Sequence, residues 1–136
     1  MYKISVVFLL FVGISFSAES QEKTSISPIA TNGWATNLSM RLYFKKNALT
    51  TFKNNQYAAY YNADQFVVLA ERKLNSQNWE VMQKPCKGDK TATHKSISII
   101  VDGEGFLHLA WGQHNNNLNY AKSVKSESLV TGKRKP

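Results

Sequence analysis

The strongest constraint in this chain is its punctuation. From Gln56 to Ser123, short runs of β-branched and aromatic residues alternate with clusters of Asn, Asp and Gly, and apolar residues recur at every second position. No window of useful length carries an apolar stripe with helical spacing. Period-two patterning puts alternate side chains on opposite faces of a strand, which restricts the chain to antiparallel strands joined by tight turns. It predicts a meander of Gln56–Tyr61, Gln65–Lys73 and Trp79–Gln83, turning at Asn62–Asp64 and Asn75–Asn78. Lys84–Thr93 is polar, holds Pro85 and Gly88, and reads as a connecting loop. A second meander takes Ser96–Val101, Phe106–Gly112 and Leu118–Ser123. Tyr61 and Trp111 occupy matching places in the two meanders, about 50 residues apart, which is the repeat length of a propeller blade. The expected fold class is all-β: about two antiparallel blades of a β-propeller, an incomplete ring.

The register of the second hairpin follows from its side chains. Pairing Ile97 with Trp111, Ile99 with Leu109 and Val101 with Leu107 puts every apolar residue on one face, whereas a one-residue slip mixes the faces. Asp102 and Phe106 then close the hairpin around three residues, and Gly105 supplies the left-handed position such a loop needs. In the same register His94 and His114 fall opposite each other at the open end. Neighbouring strands lie about 5 Å apart, so two imidazoles there can address one small site. His108 falls mid-strand opposite Ile100 and reads as a packed or rim histidine.

The N-terminus has a different composition. Met1-Tyr2-Lys3 is followed by an apolar run, Ile4 to Val12, broken only by Ser5, and then by small residues at Ser15 and Ser17. Residues 1–17 therefore have the form of a signal peptide. The run is shorter than the roughly 20 residues a bilayer span needs, so no stable membrane association is expected, and the chain from Ala18 onward is expected to be secreted or periplasmic. Cys86 is the single cysteine, which rules out a disulfide framework and a multi-cysteine zinc site. His94, His108 and His114 lack the spacing of a ligand set, so no metal and no cofactor is expected. The formal net charge is +8, but Lys122, Lys125, Lys133, Arg134 and Lys135 place much of it in a C-terminal tail. That pattern reads as a solvated end, and together with export it argues against a nucleic-acid partner.

Several stretches carry a resemblance. They are Gln56-Tyr57-Ala58-Ala59-Tyr60-Tyr61-Asn62-Ala63-Asp64, then Val67 to Leu74 followed by Trp79, and above all a block running from His94 through Asp102, Gly105, His108 and His114 to Asn119-Tyr120. From Gln56 to Ser123 the chain resembles the first part of a BNR-repeat-containing family of sialidase-like β-propellers. That family includes polysaccharide lyases such as the ulvan lyases. The chain departs from the pattern at Lys95, where the family has asparagine. A propeller closes with about four to eight blades and this chain has room for roughly two. Residues 18–136 are thus expected to be a fragment of such a propeller, inactive or weakly active, without the tyrosine and arginine that family lyases would use.

The resemblance implies action on an extracellular, uronate-containing polysaccharide by β-elimination. A base removes the proton α to the carboxyl, the carboxylate is neutralised, and the leaving oxygen is protonated. By resemblance His94 is assigned to base or carboxylate contact and His114 to positioning or acid–base help. Lys95, Asn115 and Trp111 are assigned to substrate binding. The same two histidines are equally accounted for if they cap strand ends and bond the backbone. A sialidase-type hydrolase calls for an arginine cluster, and Arg41, Arg72 and Arg134 are scattered. A carbohydrate-binding module without catalysis is the other reading, because Trp34, Tyr57, Tyr60, Tyr61, Trp79 and Trp111 supply flat faces suited to sugars.

Overall fold

Two tight turns organise the chain, and the strands follow from them. The computed structural model describes residues 25–34, 47–88, 96–112 and 119–133, and no helix occurs among them. The strands are β1 (Leu49–Phe52), β2 (Asn55–Tyr61), β3 (Phe66–Lys73), β4 (Glu80–Lys87), β5 (Ile97–Val101), β6 (Leu107–Trp111), β7 (Asn119–Ser123) and β8 (Thr131–Lys133). They form two four-stranded antiparallel sheets, ordered β1-β2-β3-β4 and β5-β6-β7-β8. The all-β, two-blade expectation therefore holds. Residues 1–17, where a signal peptide is expected, lie outside the described residues.

The β5–β6 register is the one the apolar pattern demands: Ile97 faces Trp111, Ile99 faces Leu109 and Val101 faces Leu107. Asp102 N–H donates to Phe106 O and Gly105 N–H to Asp102 O, each at 3.0 Å. Gly105 has φ +88°, the left-handed conformation that costs glycine least. A side chain there would also collide with Ser126 Oγ and press the Phe52 ring.

Alternation then builds the core. Tyr57, Ala59 and Tyr61 of β2 share a face with Val67 and Leu69 of β3. That face packs on Ile97, Ile99, Leu107, Leu109, Trp111 and Ala121 of the second sheet. Tyr57, Leu69, Ile99, Leu107 and Leu109 are fully buried, and each such side chain stabilises the fold by roughly 1.5–3 kcal/mol. At one edge Asn47 joins the sheets: its carbonyl accepts from Ile99 N–H at 2.7 Å and its Nδ2 donates to Ile99 O at 3.2 Å. At the other end Glu127 takes Lys53 Nζ at 2.8 Å and Asn55 Nδ2 at 3.2 Å.

Three details differ from the sequence reading. Each meander gains a fourth strand, β1 and β8, because short polar segments pair once a neighbouring edge is available. Lys84–Thr93 does not begin as a loop, since β4 continues to Lys87. The register jumps between Phe66↔Lys87 and Val68↔Gln83, so Lys84, Pro85 and Cys86 form a bulge. Proline, lacking an N–H, is tolerated at such an edge position. The bulge turns Lys84 inward, where its ammonium donates to Leu129 O and contacts Met82 Sδ at 3.1 Å. Burial pushes that ammonium's pKa down.

Candidate functional site

The β5–β6 hairpin presents two different groups of chemistry. At its open end the ladder continues in phase beyond the strands, with Gly112 N–H donating to Ser96 O at 2.9 Å. In the sequence His94 comes two residues before Ser96 and His114 two residues after Gly112. They lie outside the described residues, as do Lys95 and Asn115.

What fixes this end is Tyr61, from the first sheet. Its Oη donates to Ser96 O at 3.0 Å and accepts from Gly112 N–H at 3.2 Å. The ring is 4% exposed and lies against Gly88, where a Cβ would stand 2.8 Å from Tyr61 Cε1. Burial pushes the phenol up to about 12, partly opposed by the Gly112 N–H, so it remains a neutral hydroxyl at ordinary pH. Gly112 has φ +64°, in the left-handed region that costs glycine least. The partners of Tyr61 are 35 and 51 residues away, and no local motif announces them.

Trp111 is a correction. It was assigned to substrate, yet it is 5% exposed and belongs to the core between the sheets. Its period-two neighbours Leu107 and Leu109 face the same way, and the first sheet covers all three. Tyr57 and Tyr61 are buried in the same core, so three of the six aromatic faces that favoured a binding module are taken up by packing. Of the others, Trp34 packs against that core and Trp79 lies under the Arg72 guanidinium at 4.8 Å.

The second group lies on the outward face of the same hairpin. His108 Nε2 is 2.8 Å from Asp102 Oδ2, and His108 Nδ1 is 2.6 Å from Tyr120 Oη. Lys122 Nζ stands 3.3 Å from the same carboxylate oxygen and 4.2 Å from the Phe106 ring centroid. The other oxygen, Oδ1, accepts the backbone N–H groups of Glu104 at 3.0 Å and Phe106 at 2.9 Å. The hydrogen bond from His108, supported by Phe106, Lys122 and Glu104, holds the Asp102 carboxyl far below the usual carboxylate range.

An ionised carboxylate only accepts, so His108 Nε2 carries the proton. In the neutral ring Nδ1 is then bare and Tyr120 Oη donates to it. Both ring nitrogens are engaged, which leaves neither for a metal. Among the described residues no group of three or more His, Cys, Asp or Glu side chains could hold a metal ion. Sequence reasoning passed over this relay by treating His108 alone. The register it had already derived puts Asp102 on the same face, two positions beyond the partner of His108. Tyr120 requires the β6–β7 pairing, in which it lies opposite Ala110, and no short apolar hairpin specifies that register.

Two stacked antiparallel meanders, with Asn47 joining them at the β1–β5 edge, define a propeller-type repeat protein. The family model agrees. The chain belongs to the BNR repeat-containing family, whose model matches residues 55–134. No curated protein matches the chain. No helix among the described residues is long and apolar enough to cross a membrane.

Proposed function

We propose that this is a secreted or periplasmic BNR-repeat protein that acts on an extracellular uronate-containing polysaccharide, by lyase-type β-elimination at the open end of the β5–β6 hairpin. The observation that carries this reading is the ladder itself. It is in register through Ser96 and Gly112, so the chain segments bearing His94 and His114 leave the same end of one ribbon. The Tyr61 hydroxyl tethers that end to a second sheet, giving it the rigidity that acid–base chemistry needs.

In the proposed step His94 takes the proton α to the carboxyl. The freed electron pair forms the carbon–carbon double bond as the bond to the glycosidic oxygen breaks, and His114 helps return a proton to that oxygen. Lys95 supplies positive charge for the carboxylate, and Asn115 contacts the sugar.

The test is incubation of the whole chain with ulvan and with pectate, following the ultraviolet absorbance of unsaturated ends and retention on the immobilised polymers. Retention with at most weak turnover is expected of this chain, and His94→Ala and His114→Ala should abolish that turnover. Retention without unsaturated ends would favour the binding-module reading. Neither retention nor turnover, in a folded sample, would overturn both.

A further inference from the structure

Where the β5–β6 tip meets the first sheet, three carboxylates converge on one joint. The register fixes two of them: Glu71 of β3 lies directly opposite Tyr57 of β2 on one side and Glu80 of β4 on the other. Directly opposite residues share a face, here the face that carries the buried Tyr57 toward the second sheet. The third comes from the second sheet itself. Glu127, in the β7–β8 loop, crosses to the first sheet and takes Lys53 Nζ and Asn55 Nδ2. The same Asn55 amide donates to Tyr57 Oη at 3.3 Å, and Tyr57 Oη donates to the Glu71 carboxylate.

Glu127 is held in place from behind. Its φ of +51° is a strained conformation for a residue with a side chain, and its N–H donates to Gly105 O at 2.7 Å. Ser126 Oγ adds a bond to Glu104 O at 2.9 Å. The loop therefore rides on the β5–β6 tip, and the Glu127 carboxylate supplies the polar part of that tip's hold on the first sheet. Among the described residues, the titratable and charged groups that act on Glu71 are Tyr57, Lys73, Glu80 and Glu127, while the Lys53 ammonium is engaged by Glu127. Like charges directly opposite each other destabilise a sheet, and Glu71 is half-buried. Its pKa is accordingly raised, first by burial and then by Glu80 and Glu127, against the Tyr57 hydrogen bond and Lys73.

We propose that Glu127 is a latch between the two sheets and that Glu71 sets its strength. With Glu71 protonated the latch is closed, and with Glu71 ionised the repulsion between the two carboxylates loosens it. The sign follows from linkage. An acid whose folded value lies above its unfolded one, about 4.3 for glutamate, gives its full stabilisation below the unfolded value. That stabilisation is lost as pH rises through the folded value. Asp102 behaves in the opposite sense, since its carboxyl lies below the usual range, so the two transitions fall in separate windows. The latch does not depend on the lyase reading.

The experiment is NMR of the whole chain from about pH 4 upward, reading the carbon-13 shifts of the glutamate carboxyls and amide hydrogen exchange corrected for intrinsic rates. The Glu127 amide reports the latch. The Ile99 amide, bonded to Asn47 O at 2.7 Å at the β1–β5 edge, is the reference. Glu71 should titrate above about 4.3. Through that titration the protection of Glu127 relative to Ile99 should fall by about two- to fivefold, the size of a like-charge pair. Glu71→Gln keeps the shape without the charge and should hold the high protection at every pH. Glu127→Gln should also remove the pH dependence, because the repulsion needs both charges. A Glu71 carboxyl that titrates at or below the ordinary glutamate value would overturn the proposal. So would a Glu127 amide that changes only in step with Ile99, or a pH dependence that survives in either variant.

Discussion

The β2–β3 and β5–β6 turns are the same device with different outputs. In the first, Asn62 N–H donates to Phe66 O at 3.0 Å, Gln65 N–H donates to Asn62 O at 2.8 Å, and Asn62 Oδ1 accepts Phe66 N–H at 2.9 Å. In the second, Asp102, Gly105 and Phe106 repeat each of those bonds in the same order. The third loop residue is left-handed in both, Gln65 at φ +66° and Gly105 at φ +88°. The side chains part company at their second polar atom. Asn62 Nδ2 donates to Gln83 Oε1 at 2.8 Å within its own sheet, whereas Asp102 Oδ2 gathers His108 and Lys122. One turn needs an oxygen acceptor at its first position, and amide or carboxylate satisfies it equally. The choice between them decides whether the leftover atom serves packing or organises a charged relay.

The comparison breaks most severely at Gly105. Gly105→Ala meets both a left-handed backbone and the Ser126 and Phe52 contacts, so urea denaturation should show a loss of about 2–4 kcal/mol. An unchanged midpoint would mean the tip is free to move away from the first sheet. Next comes Asn62→Ala, which strips a buried turn of its side-chain acceptor and of the bond to Gln83. The expected loss is about 1–3 kcal/mol, and Phe66 N–H should exchange faster with solvent.

These turns also show where the sequence is readable. The second hairpin is legible because both strands alternate apolar residues and meet across a three-residue loop, so one register satisfies every pair. Asp102 beside His108 was implicit in that register. The β1 and β8 strands were not legible, since Leu49–Phe52 and Thr131–Lys133 are short and carry little apolar pattern; a neighbouring edge supplies their pairing. The sequence also does not say which face of the Tyr-rich β2 strand a second sheet will cover. Tyr57, Tyr61 and Trp111 therefore looked like candidate sugar faces until the packing placed them inside. The tether from Tyr61 to Ser96 and Gly112 joins different sheets, and no local pattern encodes it.

A milder variant makes the second turn imitate the first. Asp102→Asn keeps the Oδ1 acceptor for Glu104 and Phe106 but removes the charge that His108 and Lys122 share. The folded-state pKa of Asp102 lies below its unfolded value of about 3.9. Between those two values the unfolded chain binds more protons, so stability rises with pH there. The contribution of Asp102 is fully present above about pH 4–5 and is lost as pH falls through the lower folded value. In Asp102→Asn the acid limb of a stability-against-pH curve should be shallower than in the parent. An unaltered limb would show that the carboxylate is not coupled to His108 in solution.

The smallest effect should come from making the first turn imitate the second. Gln65 pays the left-handed penalty of a non-glycine residue, about 1–2 kcal/mol, and its Oε1 is buried with no hydrogen-bond partner among the described residues. Glycine removes both costs but frees the unfolded chain, which returns about 0.4–1 kcal/mol to that side. Gln65→Gly should therefore stabilise by about 0.5–1 kcal/mol, seen as a rise in the urea midpoint at constant m-value. A fall instead would mean that the Gln65 side chain contributes more to the fold than its backbone strain and its unpaired oxygen take away.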